Sequence, residues 1–270
     1  MIRVFPRKTL WTPTDSLSFV GDAPLFLPPE QPVHISVTFT WDIPEAERLY
    51  RSWSRFYSDV QLGGPAFGDK GDHFVPGRYV RSGVVVTSRG CPKECPWCFV
   101  PKREGKTREL PIMEGWDVID NNLLACTPEH IERVFEMLRR QPKPIRLSGG
   151  LDADMFTEWH RDLLATIRLQ FAWFAADHMG AMDNLASVGK LMASFPRQKK
   201  RAYVLIGYQG ESITQADKRL RQVFNMGFDP MAMLYRDDSM GLNAWTSDWR
   251  RLAKLWSRPA AYRSMMKDGQ

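Results

Sequence analysis

The chain has 270 residues, of which 43% are hydrophobic and 25% are charged, and its formal net charge is +6. These proportions are ordinary for a globular protein, and no uninterrupted apolar run approaches the ~20 residues that a membrane-spanning helix needs. The N-terminal stretch MIRVFPRKTLWTPTD has no apolar core, so it does not resemble a secretory signal. The sequence therefore predicts a cytoplasmic protein without a membrane partner, whose four cysteines do not form a disulfide framework.

The basic excess is confined to the last third of the sequence. Residues 1–188 carry 22 Lys and Arg against 24 Asp and Glu, whereas residues 189–270 carry 15 against 7. The basic positions include Arg197, Lys199, Lys200 and Arg201. Such a surface can bind DNA or another polyanion, although basic residues on helix faces are more often simply solvated. The sequence therefore allows a nucleic-acid partner without requiring one.

Residues 1–82 are predicted to form an N-terminal region of their own. Residues 1–32 contain six prolines and no helical period, so we expect an extended arm packed on the body of the protein. The β-branched run 33–41 predicts a strand, a helix follows Asp42, and residues 59–62 predict a second strand. Together they form a small β-α-β unit. In the charged loop 66–82, His73 is interpreted as a surface residue.

Three cysteines then lie within eight residues, directly after an apolar β-branched run. Cys91, Cys95 and Cys98 have the spacing C-x3-C-x2-C, and Trp97 precedes the last of them. Three thiolates from one loop can hold three irons of a [4Fe–4S] cluster and leave the fourth iron open to another ligand. A zinc ion is the alternative, but it needs a fourth ligand, which Cys126 or a distant histidine would have to supply.

Strands and helices alternate through the rest of the chain. Helices begin at Thr127 and Ser212, where an N-cap residue precedes an apolar stripe, and two more are predicted over about 154–168 and 181–194. Six strands are predicted, at 84–87, 117–121, 145–148, 171–175, 201–206 and 231–235. This alternation implies parallel strands joined by right-handed crossovers. Residues 238–270 add one amphipathic helix, ended by Pro259.

The cysteine spacing and the strand order together resemble the radical S-adenosylmethionine (radical SAM) enzymes. Their signature, C-x3-C-x-(aromatic)-C after the first strand of a barrel, matches this loop, and the similarity extends over residues 84–236. The resemblance implies an α/β fold, with a partial (β/α)6 TIM-like barrel at 83–237, the small β-α-β unit within 1–82, and a C-terminal helix in the tail 238–270. The N-terminal unit resembles the end of a cobalamin-binding domain, but the chain lacks Asp-x-His-x-x-Gly, so no cobalamin is expected.

The same resemblance implies a [4Fe–4S] cluster held by the three cysteines, with S-adenosylmethionine as a second cofactor. Residues at the predicted strand ends would bind S-adenosylmethionine: Asp120, Asn121 and Asn122, which replace the Gly-Gly-Glu of many family members, and Gly149, Gly150, Asp177 and Gly207. The first three would receive the α-ammonium group, Asp177 would accept from the ribose, and Gly207 would line the adenine. The glycine pair after the third strand would let the ligand approach the backbone closely. A simple turn explains the two glycines equally well.

Two further residues are assigned to the chemical step. Arg236, at the predicted end of the sixth strand, would hold an anionic substrate group or the carboxylate of methionine. Cys126 would be a hydrogen-atom or thiyl donor, although a lone cysteine is more often a small buried apolar residue. One spare cysteine is too few for a second cluster, which argues against the sulfur-inserting and multi-cluster branches of the family.

The resemblance implies a reaction that begins with one electron from an external reductant of the flavodoxin or ferredoxin type. Cleavage of S-adenosylmethionine would give a 5′-deoxyadenosyl radical, which abstracts hydrogen from a substrate. The whole chain, including the segments IRVFPRKTLWTPTD and MAMLYRD, also resembles a radical SAM group found in phages and their bacterial hosts. This resemblance implies an isomerase or lyase acting on modified thymidine in phage DNA. The alternatives are a radical SAM enzyme for a small amino-acid or nucleoside metabolite, and a zinc-stabilised nucleic-acid-binding module.

Overall fold

The protein is represented by a computed structural model that describes residues 1–70, 74–237, 239–240 and 244–268. His73, for which the sequence predicts a surface position, lies outside these residues. Within them the chain is a mixed α/β structure with two parallel sheets, a short antiparallel pair and eight α-helices. None of these helices is long and apolar enough to cross a membrane.

The first sheet has four parallel strands, β1 (Ile2–Phe5), β2 (Ser18–Val20), β3 (Val33–Ser36) and β4 (Val60–Gly63), in the order β2-β1-β3-β4. The connection from β3 to β4 contains α1 (Ile43–Trp53), whose Leu49 and Trp53 are fully buried in the core of this sheet. The predicted β-α-β unit is therefore confirmed, but it is the second half of a larger sheet.

The prediction of an extended arm over residues 1–32 is wrong at two places, because β1 and β2 lie within it. β1 is an inner strand, with β2 on one side and β3 on the other, and all four of its residues are buried. A strand buried on both faces shows no polar–apolar alternation, and a four-residue run among six prolines gives no periodic signal. Within β1, Arg3 donates to the carbonyls of Gly77 and Arg78 and pairs with Asp15.

The cysteine loop lies between two short strands that pair with each other. After β5 (Val84–Val85) the chain forms β6 (Ser88–Arg89), passes through the loop and α2 (Val100–Arg103), and returns as β7 (Arg108–Glu109). β6 and β7 are antiparallel, with Ser88 opposite Glu109. This ladder closes the base of the loop and fixes where the loop leaves and re-enters the body of the protein.

The second sheet contains the six parallel strands that the sequence predicts. They are β5, β8 (Asp117–Val118), β9 (Ile145–Leu151), β10 (Leu169–Ala175), β11 (Lys200–Ile206) and β12 (Asp229–Leu234), and they pair in chain order. The connections contain α3 (Pro128–Arg139), α4 (Glu158–Ala165), α5 (Met182–Leu191) and α6 (Ile213–Asn225). Because all six strands run the same way, their carboxyl ends share one edge, and the cysteine loop follows the carboxyl end of β5.

The four helices α3 to α6 pack on one face of this sheet. Each connection leads to the next strand on the same side of the sheet, and right-handed connections of this kind place all their helices on one face. Along β11, residues 200, 202, 204 and 206 are buried, whereas Arg201, Tyr203 and Leu205 are only half-buried. The buried set joins the main hydrophobic core through Ala202, Val204 and Ile206. A parallel strand covered by helices on both faces would be apolar throughout, so this alternation marks a second face that α3 to α6 do not cover.

The C-terminal region has two helices where the sequence predicts one. The expected amphipathic helix is α7 (Ser247–Trp256), and α8 (Pro259–Asp268) follows after two residues. Pro259 does not end the helical tail, because it is the first residue of α8. The backbone N–H at that position has no acceptor within the helix, so a proline, which lacks this N–H, is tolerated there. Trp256 is fully buried and stacks on Tyr262, with ring centroids 5.3 Å apart.

Candidate functional site

Cys91, Cys95 and Cys98 are all half-buried in the loop between β6 and α2. The loop folds back on itself, because the N–H of Cys91 donates to Gly105 O at 3.0 Å and the N–H of Cys98 donates to Cys95 O at 2.9 Å. Burial raises the pKa of the Cys95 and Cys98 thiols, and the charge of neighbouring cysteines raises each pKa further. The charged forms of Cys95 and Cys98 are therefore disfavoured at this place unless a cation is bound beside them.

Two N–H groups point at the sulfur atoms. The backbone N–H of Val100, at the start of α2, hydrogen-bonds to Cys98 and opposes the rise in its pKa. The side-chain Nδ2 of Asn122 lies 3.7 Å from Cys91 Sγ. N–H donors of this kind stabilise thiolate sulfur around iron–sulfur clusters. The loop therefore carries three thiols, with N–H groups beside Cys91 and Cys98.

The thiols do not form a closed metal site. In the described part of the chain, no three His, Cys, Asp or Glu side chains stand together as ligands of one metal ion. A zinc site would need a fourth ligand, yet the polar neighbours of Cys126 are Ser88, Asp120 and Glu109, none of them a cysteine of the loop. The donor types in the loop, three thiols and two N–H groups, are those that a cluster with three protein ligands would use, but the three thiols are not gathered into one ligand group among the described residues.

Asp120 and Asn121 hold the strand that leads into the loop. The Asp120 carboxylate is 2% exposed and accepts from the N–H of Thr87 at 2.6 Å and from the Ser88 hydroxyl at 2.8 Å. Its pKa is raised by burial, although these hydrogen bonds lower it. Asn121 Oδ1 accepts from the N–H of Gly90 at 2.9 Å. Both side chains therefore support the cysteine loop, a role that the sequence does not predict.

Asn122 differs from its two neighbours because it keeps a free acceptor. The residue is 3% exposed, and its Nδ2 points between Cys91 Sγ and Met155 Sδ. Its Oδ1 is buried and has no hydrogen-bond partner among the described residues. A buried carbonyl oxygen without a donor is unfavourable, so this atom is suited to a ligand N–H. Of the three residues predicted to receive an α-ammonium group, Asn122 retains the capacity to do so.

Gly149 and Gly150 lie inside β9, so the prediction that they follow the third strand is wrong. A Cβ at Gly149 would be 2.0 Å from Asp120 O, which means that the two backbones approach too closely for any side chain. A Cβ at Gly150 would meet no atom within 4 Å. Gly149 is therefore explained by packing against Asp120, whereas Gly150 leaves open space near the carboxyl end of β9.

Trp97 joins the cysteine loop to the ends of β10 and β11. Burial raises the pKa of the Asp177 carboxyl, and the indole of Trp97 lowers it. The Trp97 ring contacts His178 and Tyr208, with centroids 5.3 Å and 5.5 Å away. Asp177, for which a ribose contact is predicted, is thus engaged with Trp97 and with the backbone N–H of Leu205. The cysteine motif indicates an aromatic residue at position 97 but not its partner.

Lys93 makes a second connection, to the segment after β9. It pairs with Asp152 at 2.9 Å and also with Asp154, which accepts from Asn184 of α5. No spacing rule predicts these contacts, because 59 residues separate Lys93 from Asp152. Together with Trp97, they hold the loop against the carboxyl ends of β9, β10 and β11.

Gly207 serves the packing of the C-terminal region. Its φ of 78° lies in the left-handed region, and a Cβ would come within 2.3 Å of the Trp245 ring. The Trp245 indole donates to Tyr235 O at 2.9 Å, and the N–H of Gly207 donates to Glu211 Oε2 at 2.9 Å. The surface predicted to line an adenine is therefore covered by Trp245 at this residue.

The two residues assigned to the chemical step have different surroundings. Cys126 is half-buried against the main core, and burial raises its pKa to about 11, so it is a neutral thiol. Arg236 lies after β12 with its Cζ 4.6 Å from the centroid of the Trp41 ring, and its Nε donates to Met240 O at 3.4 Å. Trp41 belongs to the connection between β3 and α1. Arg236 therefore joins the second sheet to the first, which the sequence does not indicate.

Compared with known proteins, this chain matches no family model and no curated protein. The interpretation of the site therefore rests on its own residues: three thiols in one loop, the N–H donors beside them, and the contacts that hold the loop at the strand ends.

Proposed function

We propose that the protein is a radical SAM enzyme in which Cys91, Cys95 and Cys98 hold a [4Fe–4S] cluster. One observation carries the proposal: the three thiols share a loop that follows the first of six parallel strands paired in chain order. Ligand sites in such sheets lie at the carboxyl ends of the strands, where Trp97 and Lys93 anchor the loop. We further propose that the six strands curve into a partial (β/α)6 TIM-like barrel around the site.

The residues beside the loop would hold both cofactors. The N–H groups of Val100 and Asn122 stabilise the sulfur atoms, and Asn122 Oδ1 is free to receive the α-ammonium group of S-adenosylmethionine. The open space at Gly150 admits the ligand next to the backbone of β9. Arg236, held on the Trp41 ring, supplies a fixed positive charge for a carboxylate or another anionic group.

The chemistry that a bound cluster supplies is the one-electron cleavage of S-adenosylmethionine to a 5′-deoxyadenosyl radical, which removes hydrogen from a substrate. The electron must come from outside the chain, and we propose a flavodoxin- or ferredoxin-type donor. Pro92, Glu94 and Pro96 are exposed on the cysteine loop, so a donor can approach from the solvent. Cys126 keeps its hydrogen at neutral pH because its pKa is raised to about 11, which suits a hydrogen-atom donor.

Anaerobic reconstitution with iron and sulfide tests the proposal. We expect a brown protein that absorbs near ~400 nm, is bleached by dithionite, and releases 5′-deoxyadenosine when S-adenosylmethionine is added. Alanine at Cys91, Cys95 or Cys98 should abolish both results, whereas Cys126→Ala should retain the cluster. A colourless protein that takes up zinc would favour the zinc-stabilised nucleic-acid-binding module, and a brown protein that releases no 5′-deoxyadenosine would contradict the enzyme.

The substrate class that we propose is modified thymidine in phage DNA, transformed by an isomerase or lyase reaction. Part of the basic excess is used by the fold, since Lys200 is buried against Met192 O and Arg197 donates to Phe228 O at 2.9 Å. Exposed basic side chains on and after α7 are Arg250, Arg251, Lys254, Arg258 and Lys267. This surface is the one on which contact with DNA phosphates is expected.

Duplex DNA binding at several salt concentrations tests the substrate class. We expect the affinity to fall steeply as salt rises, and Arg250→Gln with Lys254→Gln to weaken binding and to reduce the salt dependence. Equal turnover of a free nucleoside or amino acid, with no DNA affinity at ~50 mM salt, would instead favour a small-metabolite enzyme.

A further inference from the structure

The face of the six-stranded sheet that points away from α3 to α6 carries aromatic and cationic side chains. They are Arg146 on β9, Phe171 and Trp173 on β10, and Arg201 and Tyr203 on β11. Strand pairing sets them side by side, with Arg146 opposite Phe171 and Arg201 opposite Trp173. These residues do not contribute to the cysteine loop, and their chemistry is that of a binding surface.

Arg201 is held on this face by aromatic rings alone. Its Cζ lies 4.0 Å from the centroid of the Phe171 ring and 5.4 Å from that of the Trp173 ring. Across the ranges that the structure describes, its guanidinium makes no hydrogen bond and no ion pair. Contact with two rings fixes the position of the guanidinium without using its five N–H donors.

The two carboxylates that flank this face already have cationic partners. Asp117 pairs with Arg146 at 3.1 Å, and Asp229, which is opposite Arg201 in the strand register, pairs with Arg263. Burial lowers the pKa of Arg201, because the field of Asp229 does not offset the loss of water around the guanidinium. The face therefore presents one positive charge that the described residues leave uncompensated.

Beside this charge two aromatic rings are stacked and well fixed, of which Trp173 is 8% exposed and Tyr203 is half-buried. The Tyr203 and Trp173 rings stack with centroids 4.1 Å apart and an interplanar angle of 7°. The Tyr203 hydroxyl donates to Ser148 O at 3.2 Å. Burial raises the pKa of Tyr203 to about 12, so the ring stays neutral and does not repel an anion. A planar group attached to an anion would find both an aromatic surface and a cation here.

We propose that Arg201 binds the phosphate or carboxylate group of an elongated substrate, with the half-buried Tyr203 ring, which stacks on Trp173, in contact with an adjoining planar group. This inference rests on the proposed function, because it names the class of substrate for the same site. Arg201 precedes Ile206, the last residue of β11, by five residues, which corresponds to roughly 16 Å of strand. The cysteine loop lies at that end of the sheet, so the substrate must extend over a distance of this order.

Calorimetric titration of the anaerobically reconstituted protein tests the site, with phenyl phosphate and benzoate as probes. We expect at least one of them to bind, which identifies the anion as phosphate or carboxylate, and Arg201→Gln to weaken that binding by about tenfold or more. Arg55→Gln, an exposed arginine after α1, is the control and should keep the wild-type affinity. Equal affinity in wild type and Arg201→Gln, or no binding of either probe to wild type, overturns the proposal.

A second measurement tests the anion site at Arg201 if the Arg201→Gln variant does not fold. The bound probe should slow the labelling of Arg201 by phenylglyoxal in the wild-type protein and leave the labelling of Arg55 unchanged, and equal labelling with and without probe overturns the site. Release of 5′-deoxyadenosine by the wild-type protein without substrate separates this inference from the proposed function, because that release tests the cluster chemistry and does not require anion binding at Arg201. Absence of release by the wild-type protein, together with anion binding that depends on Arg201, would remove the radical SAM proposal and leave the anion site.

Discussion

The indole of Trp97 lowers the pKa of the half-buried Asp177 carboxyl, so a residue inside the cysteine motif interacts with the residue that follows β10. Because Trp97 lies between Cys95 and Cys98, movement of its ring would move the thiols. Asp177 in turn is half-buried and depends on donors such as this indole to keep its charge. The position of the loop and the end of the strand are therefore coupled through the interaction between these two side chains.

Trp97→Phe removes the indole N–H and keeps an aromatic ring. We expect the free energy of unfolding to fall by ~1–2 kcal/mol, because the half-buried Asp177 loses a donor. The iron content after anaerobic reconstitution should fall as well, because the thiols lose their fixed position. Trp249→Phe, on α7, is the matched control. Wild-type stability together with wild-type iron content in Trp97→Phe would show that this interaction does not hold the loop.

Gly149→Ala and Gly150→Ala form a matched pair, because the two residues are adjacent in β9 and differ in the space beside them. A methyl group at Gly149 would meet Asp120 O at 2.0 Å, so we expect a loss of about 2 kcal/mol or more in the free energy of unfolding. At Gly150 the methyl group meets nothing, and the change should stay within about 0.5 kcal/mol. Denaturant unfolding of both variants checks this, and equal losses would contradict the close approach.

Asn122→Leu removes the N–H that points at Cys91 Sγ. N–H groups near cluster sulfur stabilise the more negative, reduced state, so we expect the reduction potential to become lower by tens of mV, roughly. An anaerobic redox titration followed by electron paramagnetic resonance measures this potential directly. Met155→Leu, which also lies beside the Asn122 amide, provides the control and should leave the potential near that of wild type. An unchanged potential in Asn122→Leu would show that the amide does not act on the cluster.

His160 is expected to make the free energy of unfolding depend on pH. It is 8% exposed in the first turn of α4, and its Nδ1 accepts from the N–H of Thr157 at 3.1 Å. Burial lowers its pKa from the ordinary value of 6.5, so below pH 6.5 the unfolded chain binds a proton that the folded chain does not. The free energy of unfolding should therefore decrease as the pH falls through this range.

His160→Gln isolates that contribution. Glutamine can make the same capping contact to Thr157 but does not titrate, so the variant should lose less stability on acidification than wild type. Denaturant unfolding at about pH 7.5 and at about pH 5.5, on either side of the ordinary histidine pKa, compares the two proteins. The same loss in both would mean that His160 does not carry the effect.

The second sheet could be predicted because its signals are local. Each strand is an apolar run, and the helices between strands begin at recognisable caps, as Thr127 and Ser212 show by accepting from the N–H three residues further on. β1 and β2 were not predictable in this way, since short strands next to prolines are stabilised by their neighbours in the sheet. The first sheet therefore depends on pairing that no single segment reveals.

The residues of the candidate site also divide into those that a local sequence signal reveals and those that depend on contacts with distant segments. The spacing of the three cysteines is visible in eight residues, whereas the partners of the loop, Asp152, Asp154 and Asp177, come from distant segments. Arg201 is a further example, because a count of charges treats it as a surface cation, while the fold places its guanidinium against two rings. Contacts between strands decide such roles, and a single sequence does not specify them.

The pairing of β5 with β8 alone, and of β12 with β11 alone, means that the six described strands do not close into a ring. A closed ring admits a molecule only through its two ends, so a long polymer would have to be threaded or cut before an inner segment could enter. An open sheet can also be reached along its side. An internal unit of a long chain can therefore be presented to the cysteine loop while both ends of that chain stay outside.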